Sequence, residues 1–160
     1  RRIGESVERL VQSIGVDPRR LGVEVTETSV MHDVDGAKAV LEQLRSIGVQ
    51  SALDDFGTGH SSLSLLQMLP VDKVKIDRSF VRDVAEDQRD LTLVRAIAGL
   101  AADLGLGVVA EGVETEEQRE ILAELGCEHA QGYLFARPVS ADRLVQLLAE
   151  GTPWAAVAGG

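Results

Sequence analysis

The chain has 160 residues, the length of one ordinary domain, and 44% of them are hydrophobic, which excludes global disorder. Acidic residues number 26 against 16 basic ones, and the formal net charge of −10 argues against a surface that binds DNA or RNA through phosphates. The longest apolar runs are too short for a membrane span, so none is expected in this segment. The single cysteine, Cys127, excludes an intrachain disulfide and predicts a reducing, cytoplasmic location.

Predicted helices and strands alternate along the chain. In chain order, the predicted strands are residues 21–26, 49–53, 73–77, 107–110 and 129–132, each a short apolar or β-branched run. The predicted helices have an apolar face that repeats every three to four residues and include residues 7–14, 34–47, 62–69, 91–104, 121–125 and 144–148. Four of them are expected to stop at a glycine: Gly15, Gly48, Gly105 and Gly126. A capping box from Thr115 to Gln118 and an N-cap at Ser140 are expected to begin the last two helices.

Strands that alternate with helices predict parallel pairing with right-handed crossovers, in either an open doubly wound sheet or a barrel. The glycines at residues 57–59 lack the third glycine of a dinucleotide-binding turn, and the polar strand ends favour the barrel. We therefore expect an α/β fold, a (β/α)8 TIM-like barrel, here incomplete with about five βα units. Residues 1–150 are expected to form this partial domain and residues 151–160 a flexible C-terminal tail.

Charged and amide side chains stand at or near the carboxyl ends of the predicted strands: Glu24, Glu27, Asp54, Asp55, Lys75, Asp77, Glu111 and Gln131. In a barrel these ends converge on one mouth, where clustered carboxylates need cations between them. Carboxylate oxygens suit Mg²⁺ or Mn²⁺, and two such ions about 3.5–4 Å apart can clamp both oxygens of a phosphodiester displacement. Each residue alone has an ordinary structural alternative, such as a solvent-facing position for Glu24. Their occurrence at successive strand ends favours a site.

The same barrel hypothesis predicts which apolar strand residues fill the centre. Six are expected to point inward: Val23, Val25, Leu53, Val74, Ile76 and Val108.

Five motifs in order resemble the EAL domain of bacterial cyclic-di-GMP phosphodiesterases. They are residues 24–27 (EVTE), 54–63 (DDFGTGHSSL), 75–81 (KIDRSFV), 110–115 (AEGVET) and 131–138 (QGYLFARP). The resemblance covers roughly residues 3–150. It implies a TIM-like barrel that opens cyclic-di-GMP to linear pGpG with two Mg²⁺ or Mn²⁺ ions.

The resemblance also implies a metal-ligand set. Glu24 and Asp54 would hold the first metal. Asp54 would bridge to the second metal, which Asp55 and Glu111 would join.

For catalysis, the resemblance implies that Lys75 contacts the attacking water and steadies the developing charge, with Glu111 beside it. Gln131 would lie close to that water and to the phosphate. Glu27 would brace the loop over residues 57–62, which the family uses in metal binding and dimer coupling. In this loop, His60 stands where the family commonly has Tyr.

The Glu-Ala-Leu tripeptide of the family, and the Asn-bearing strand after it, are absent from these 160 residues and precede Arg1 in the family's order. The chain therefore resembles the carboxyl-terminal two-thirds of the domain, and alone it is expected to be inactive. We expect a homodimeric parent with upstream GGDEF or sensory domains, with or without a membrane tether. The alternative function is a catalytically silent EAL-type receptor for cyclic-di-GMP. An acidic (β/α) metal enzyme with a carboxylate substrate is a third, more distant hypothesis.

Overall fold

The computed structural model describes residues 2–57 and 63–150. In this part of the chain the strands are β1 (Gly22–Thr26), β2 (Gln50–Phe56), β3 (Lys73–Ile76), β4 (Gly107–Glu111) and β5 (His129–Gln131). The helices are α1 (Arg2–Ile14), α2 (Glu27–His32), α3 (Val34–Ser46), α4 (Leu63–Met68), α5 (Arg78–Arg82), α6 (Gln88–Asp103), α7 (Glu116–Glu124) and α8 (Ala141–Glu150). One 3₁₀ turn, Pro18–Arg20, precedes β1.

The helix boundaries follow the local signals of the sequence. The four glycines predicted to end helices all have positive φ, between 68° and 89°: Gly15, Gly48, Gly105 and Gly126. The capping box is confirmed, because the Thr115 side chain accepts from the Gln118 backbone and the Gln118 side chain accepts from the Thr115 backbone. Ser140 also begins α8, since its hydroxyl accepts from the Arg143 amide at 3.3 Å.

The strands form one parallel sheet whose order is β1-β2-β3-β4-β5 across the described residues. A doubly wound sheet reverses its strand order at a switch point, whereas a barrel keeps the order of the chain. The sequential order therefore agrees with the predicted barrel. β1 and β5 form the two edges, as expected for a barrel of which about five units are present.

The hydrophobic core lies between the sheet and its helices. Leu53, Val74, Ile76 and Val108 are buried there together with helical residues such as Leu41. The prediction that these strand residues fill the barrel's centre is therefore wrong, and Val25 also packs against this core from β1. Successive side chains of a strand lie on opposite faces of the sheet. Because Lys75 lies on one face of β3, Val74 and Ile76 lie on the other.

Four of the described strands end at residues other than those predicted, and β4 and β5 differ by one residue each, ending at Glu111 and Gln131. β2 continues through Asp54 and Asp55 to Phe56, and β3 stops at Ile76 because Asp77 is the N-cap of α5. The short helices α2 and α5 were not expected, because five or six residues are too few to show a helical period.

No helix in the described ranges combines the length and apolarity that a membrane crossing requires. The predicted tail at residues 151–160, most of the loop over 57–62 and its His60 lie outside the described residues.

Candidate active site

Lys75 of β3 lies at the centre of a cluster of carboxylates from three other strands. Its ammonium Nζ is 2.7 Å from Glu24 Oε2 on β1, 3.0 Å from Asp54 Oδ1 on β2 and 2.5 Å from Glu111 Oε1 on β4. The Lys75 side chain is only 6% exposed, while those of Asp54 and Glu111 are 20% and 17% exposed and that of Glu24 is 54% exposed. The convergence predicted from the strand ends is thus present.

The charges of this cluster do not balance. Three carboxylates surround one ammonium, which leaves two excess negative charges before Asp55 is added. Burial by itself lowers the pKa of Lys75, but hydrogen bonds to Glu111, Glu24 and Asp54 outweigh it and raise the pKa well above its ordinary value. Lys75 is therefore a permanent cation at neutral pH.

A β-bulge places Asp54 and Asp55 together. β2 pairs with β3 at Leu53–Val74 and next at Phe56–Ile76, so β2 contains one extra residue between these pairs. Asp55 adopts a positive φ of 56°, a conformation that Asp tolerates better than most residues. Leu53 and Phe56 are both buried in the core, and the two aspartates occupy the bulge between them.

Asp55 belongs to the same electrostatic cluster. Burial raises the pKa of its carboxyl, the charges of Asp54 and Asp77 raise it further, and that of Lys75 opposes them. The Asp55 amide donates to Asp54 Oδ1 at 3.0 Å, which fixes the Asp54 carboxylate at the bulge. The structure thus brings Asp55 beside the Lys75 cluster.

Gln131 joins the cluster from β5. Its side-chain Nε2 donates to Glu111 Oε1 at 2.7 Å, and the strand register pairs Gln131 directly with Glu111. The Gln131 carbonyl also accepts from the Val113 amide at 3.1 Å, so the loop after Glu111 is bound to β5.

Two further predicted residues, Glu27 and Asp77, lie at the starts of the helices α2 and α5. Glu27 is buried at the start of α2, where Thr26 is the N-cap, and most of the loop that it is predicted to brace lies outside the described residues. Asp77 caps α5 by accepting from the Ser79 amide at 2.9 Å. Burial works to raise the pKa of Asp77, but the hydrogen bonds from Ser79 and the charge of Arg78 lower it overall.

The donor chemistry of the cluster fits hard divalent cations, since carboxylate oxygens are the ligands that Mg²⁺ and Mn²⁺ prefer. Within residues 2–57 and 63–150, no three His, Cys, Asp or Glu side chains form a ready metal-ligand group. Glu24, Asp54 and Glu111 instead contact Lys75, whose ammonium supplies the positive charge at their centre.

A groove of about 870 Å³ runs beside Glu111 and Gln131. Its walls include Arg78 from α5 and the segment after β5, where the Arg137 guanidinium stacks 4.5 Å from the centre of the Tyr133 ring. Cationic and aromatic groups thus flank the cluster on this side, a combination suited to an anionic ligand that contains planar rings.

Sequence reasoning assigned Gln118 to helix capping alone. The residue is 6% exposed, and its side-chain Nε2 also donates to the Arg82 carbonyl at 2.8 Å, at the end of α5. The two residues are 36 positions apart, so no local pattern could have revealed this contact.

The family model of the EAL domain matches residues 1–138. This chain belongs to the EAL domain family. Among its relatives is the bifunctional diguanylate cyclase/cyclic di-GMP phosphodiesterase MucR of Pseudomonas aeruginosa, 45% identical over 145 residues. That match covers 91% of this chain and 21% of MucR, so the chain spans about a fifth of this relative's length.

Solved EAL structures share the fold. The EAL domain of Mycobacterium smegmatis DcpA superposes with a TM-score of 0.87 at 44% identity, covering 93% of this chain and 67% of that one. A manganese/cyclic-di-GMP complex of Klebsiella pneumoniae BlrP1 superposes with a TM-score of 0.76 at 41% identity, covering 82% of this chain and 34% of that one. These likenesses confirm the predicted α/β barrel class, with five parallel strands consistent with an incomplete barrel.

Proposed function

We propose that the domain to which this chain belongs hydrolyses cyclic-di-GMP to linear pGpG. The observation that carries the proposal is the buried Lys75 ammonium in contact with carboxylates from three other strands of an EAL domain. MucR is named as a cyclic di-GMP phosphodiesterase, and BlrP1 was solved with manganese and cyclic-di-GMP, which supports this substrate and a divalent cation.

The proposal assigns the metal ligands that the resemblance to the EAL domain implies. Glu24 and Asp54 would hold one Mg²⁺ or Mn²⁺, and Asp54, Asp55 and Glu111 would hold a second. When bound, such ions polarise the phosphoryl group and lower the pKa of a water molecule. The two excess negative charges of the cluster favour cation binding, because opposite charge relieves the repulsion among the carboxylates.

The proposed role of Lys75 follows from the position of its buried ammonium among the three carboxylates. We assign this ammonium an electrostatic role beside the attacking water rather than the role of a general base. It can donate hydrogen bonds to that water and to a phosphate oxygen, and its charge stabilises the negative charge that develops in the transition state.

Gln131 would orient Glu111 and the reacting phosphate. Its amide Nε2 already donates to Glu111 Oε1, which fixes one oxygen of that carboxylate. The groove beside Glu111 offers Arg78, Tyr133 and Arg137, which suit a ligand with phosphates and guanine rings.

The test is turnover by the purified parent domain. Incubation with cyclic-di-GMP and either Mn²⁺ or Mg²⁺ is expected to yield linear pGpG, and chelation by EDTA is expected to stop the reaction. Tight binding without turnover in both metals would refute the phosphodiesterase and favour the receptor.

Further properties of the parent protein belong to the same proposal. A second domain of GGDEF type is in keeping with the bifunctional name of MucR. The parent is also expected to be a cytoplasmic homodimer that uses Mg²⁺ or Mn²⁺.

A further inference from the structure

Gln118 makes more contacts than a helix cap requires. Its Oε1 accepts from the amides of Glu114 at 2.7 Å and Thr115 at 3.1 Å, and its Nε2 donates to the Arg82 carbonyl at 2.8 Å. A capping box needs only the hydrogen bond from Thr115. The contacts with Glu114 and Arg82 join α7 to two segments outside the helix.

Arg82 connects this side chain to the strand of Lys75. It is the last residue of α5, which begins directly after Asp77, two residues beyond Lys75. Carbonyls at the end of a helix have no partner within the helix and must be satisfied from elsewhere. Gln118 satisfies that of Arg82 and so joins the helix after β3 to the loop after β4.

That loop is also closely packed at its other end. A Cβ added at Gly112 would lie 2.5 Å from Arg78 Cβ, so the loop contacts the start of α5. Val113 is buried, and its carbonyl accepts from the Leu134 amide at 3.0 Å. The backbone of this loop is therefore held by α5, by the segment after β5 and by the side-chain amide of Gln118. Glu111 directly precedes the loop.

We propose that Gln118 is a positioning residue that fixes Glu111 relative to Lys75 by tying the β4–α7 loop to the end of α5. The proposal rests on the proposed function, because it deepens the description of that site. Gln118 contacts neither Lys75 nor Glu111 in the hydrogen bonds of the structure, and it acts through the backbone between them.

The consequence of losing this contact is a displaced site in a folded protein. Without the side-chain amide of Gln118, the Arg82 carbonyl and the Glu114 backbone amide lose this hydrogen-bond partner, and the β4–α7 loop can shift. Residues that orient metal ligands from outside the ligand set typically change activity or metal affinity by about 10–100-fold. Gln118 borders the groove, but its Oε1 and Nε2 are engaged by backbone groups, so the loss is expected mainly in kcat and in Mn²⁺ affinity rather than in KM.

The experiment compares three variants of the complete parent domain. Gln118→Met removes every side-chain hydrogen bond at nearly the same length. Gln118→Glu keeps the oxygen that accepts from Glu114 and Thr115 but loses the donor to Arg82. Thr115→Val is the matched control. It removes the hydroxyl that accepts from the backbone amide of Gln118 at 3.2 Å, and it leaves the hydrogen bond from the Gln118 side chain to the Arg82 carbonyl.

Both Gln118 variants are expected to fold and to lose about 10–100-fold in kcat and in Mn²⁺ affinity, and Gln118→Met is also expected to exchange the Glu114 amide faster. Thr115→Val is expected to melt at a lower temperature and to retain kcat. Wild-type kcat and Mn²⁺ affinity in Gln118→Glu, or an equal loss in Thr115→Val, would overturn the proposal. If Gln118→Met fails to fold, the kcat and the Mn²⁺ affinity of Gln118→Glu test the proposal.

The two proposals can fail separately. If the wild-type domain does not turn over cyclic-di-GMP, the proposed function fails. The role of Gln118 is then judged from Mn²⁺ affinity, where an unchanged value in Gln118→Glu would refute it.

Discussion

Replacing Lys75 by methionine removes the only positive charge that the described residues place among Glu24, Asp54 and Glu111. Methionine has a similar length and no charge, so the change tests electrostatics with little loss of packing. Removing one partner of a buried ion pair costs about 3–5 kcal/mol. Because the Glu24 side chain is 54% exposed and water can screen it, we expect the lower end, about 3 kcal/mol in the free energy of unfolding.

The pH dependence of this loss follows from the raised pKa of Lys75. A group whose pKa is higher in the folded state stabilises fully below its unfolded pKa, about 10.4 for lysine. The stabilisation is lost only as pH rises through the folded-state pKa. The difference in the free energy of unfolding between wild type and Lys75→Met is therefore expected to stay constant, as far as Lys75 titration is concerned, from pH 7 to about 9.

The assay is urea unfolding of the parent domain in EDTA, followed by turnover with Mn²⁺. Lys75→Met is expected to lower the unfolding midpoint and to reduce kcat by about 10²–10³-fold. Lys38→Met is the matched control, since Lys38 lies on α3 with its nearest carboxylate, Glu42, 4.0 Å away, and it should change stability by less than about 0.5 kcal/mol. Unchanged stability together with unchanged kcat in Lys75→Met would refute the reasoning.

Three other outcomes are expected. Glu111→Gln should lose about 10²–10³-fold in kcat with much less change in substrate affinity, while Ser29→Ala should match wild type, and a loss confined to affinity would contradict the assignment. Burial raises the pKa of the Cys127 thiol to about 11, so iodoacetamide at pH 8 should alkylate it more than about 100-fold slower in the native domain than in denaturant. The 160-residue polypeptide expressed alone should self-associate through the edges β1 and β5 and lack turnover, as light scattering with an activity assay would measure, and a compact active monomer would contradict this.

Much of the site could be predicted because parallel strands share a carboxyl edge. Once the strands of Glu24, Asp54, Lys75 and Glu111 were recognised, their neighbouring positions in a sequential sheet followed. The face of the apolar strand residues was predicted wrongly, although the alternation of Val74 with Lys75 contains the information needed.

Other features depended on contacts that a local pattern does not contain. The bulge at Asp54 and Asp55 arises because Leu53 and Phe56 must both reach the core, which becomes visible only when the sheet is assembled. The bond between Gln118 and Arg82 joins residues far apart in the chain, and the capping motif gave no sign of it.

Hydrolysis in ¹⁸O-labelled water tests the central claim most directly. The parent domain with Mn²⁺ and cyclic-di-GMP is expected to release linear pGpG that carries one ¹⁸O in its new terminal phosphate, measured by mass spectrometry. Cyclic-di-GMP recovered intact and unlabelled from the domain, with Mn²⁺ and again with Mg²⁺, would contradict the account.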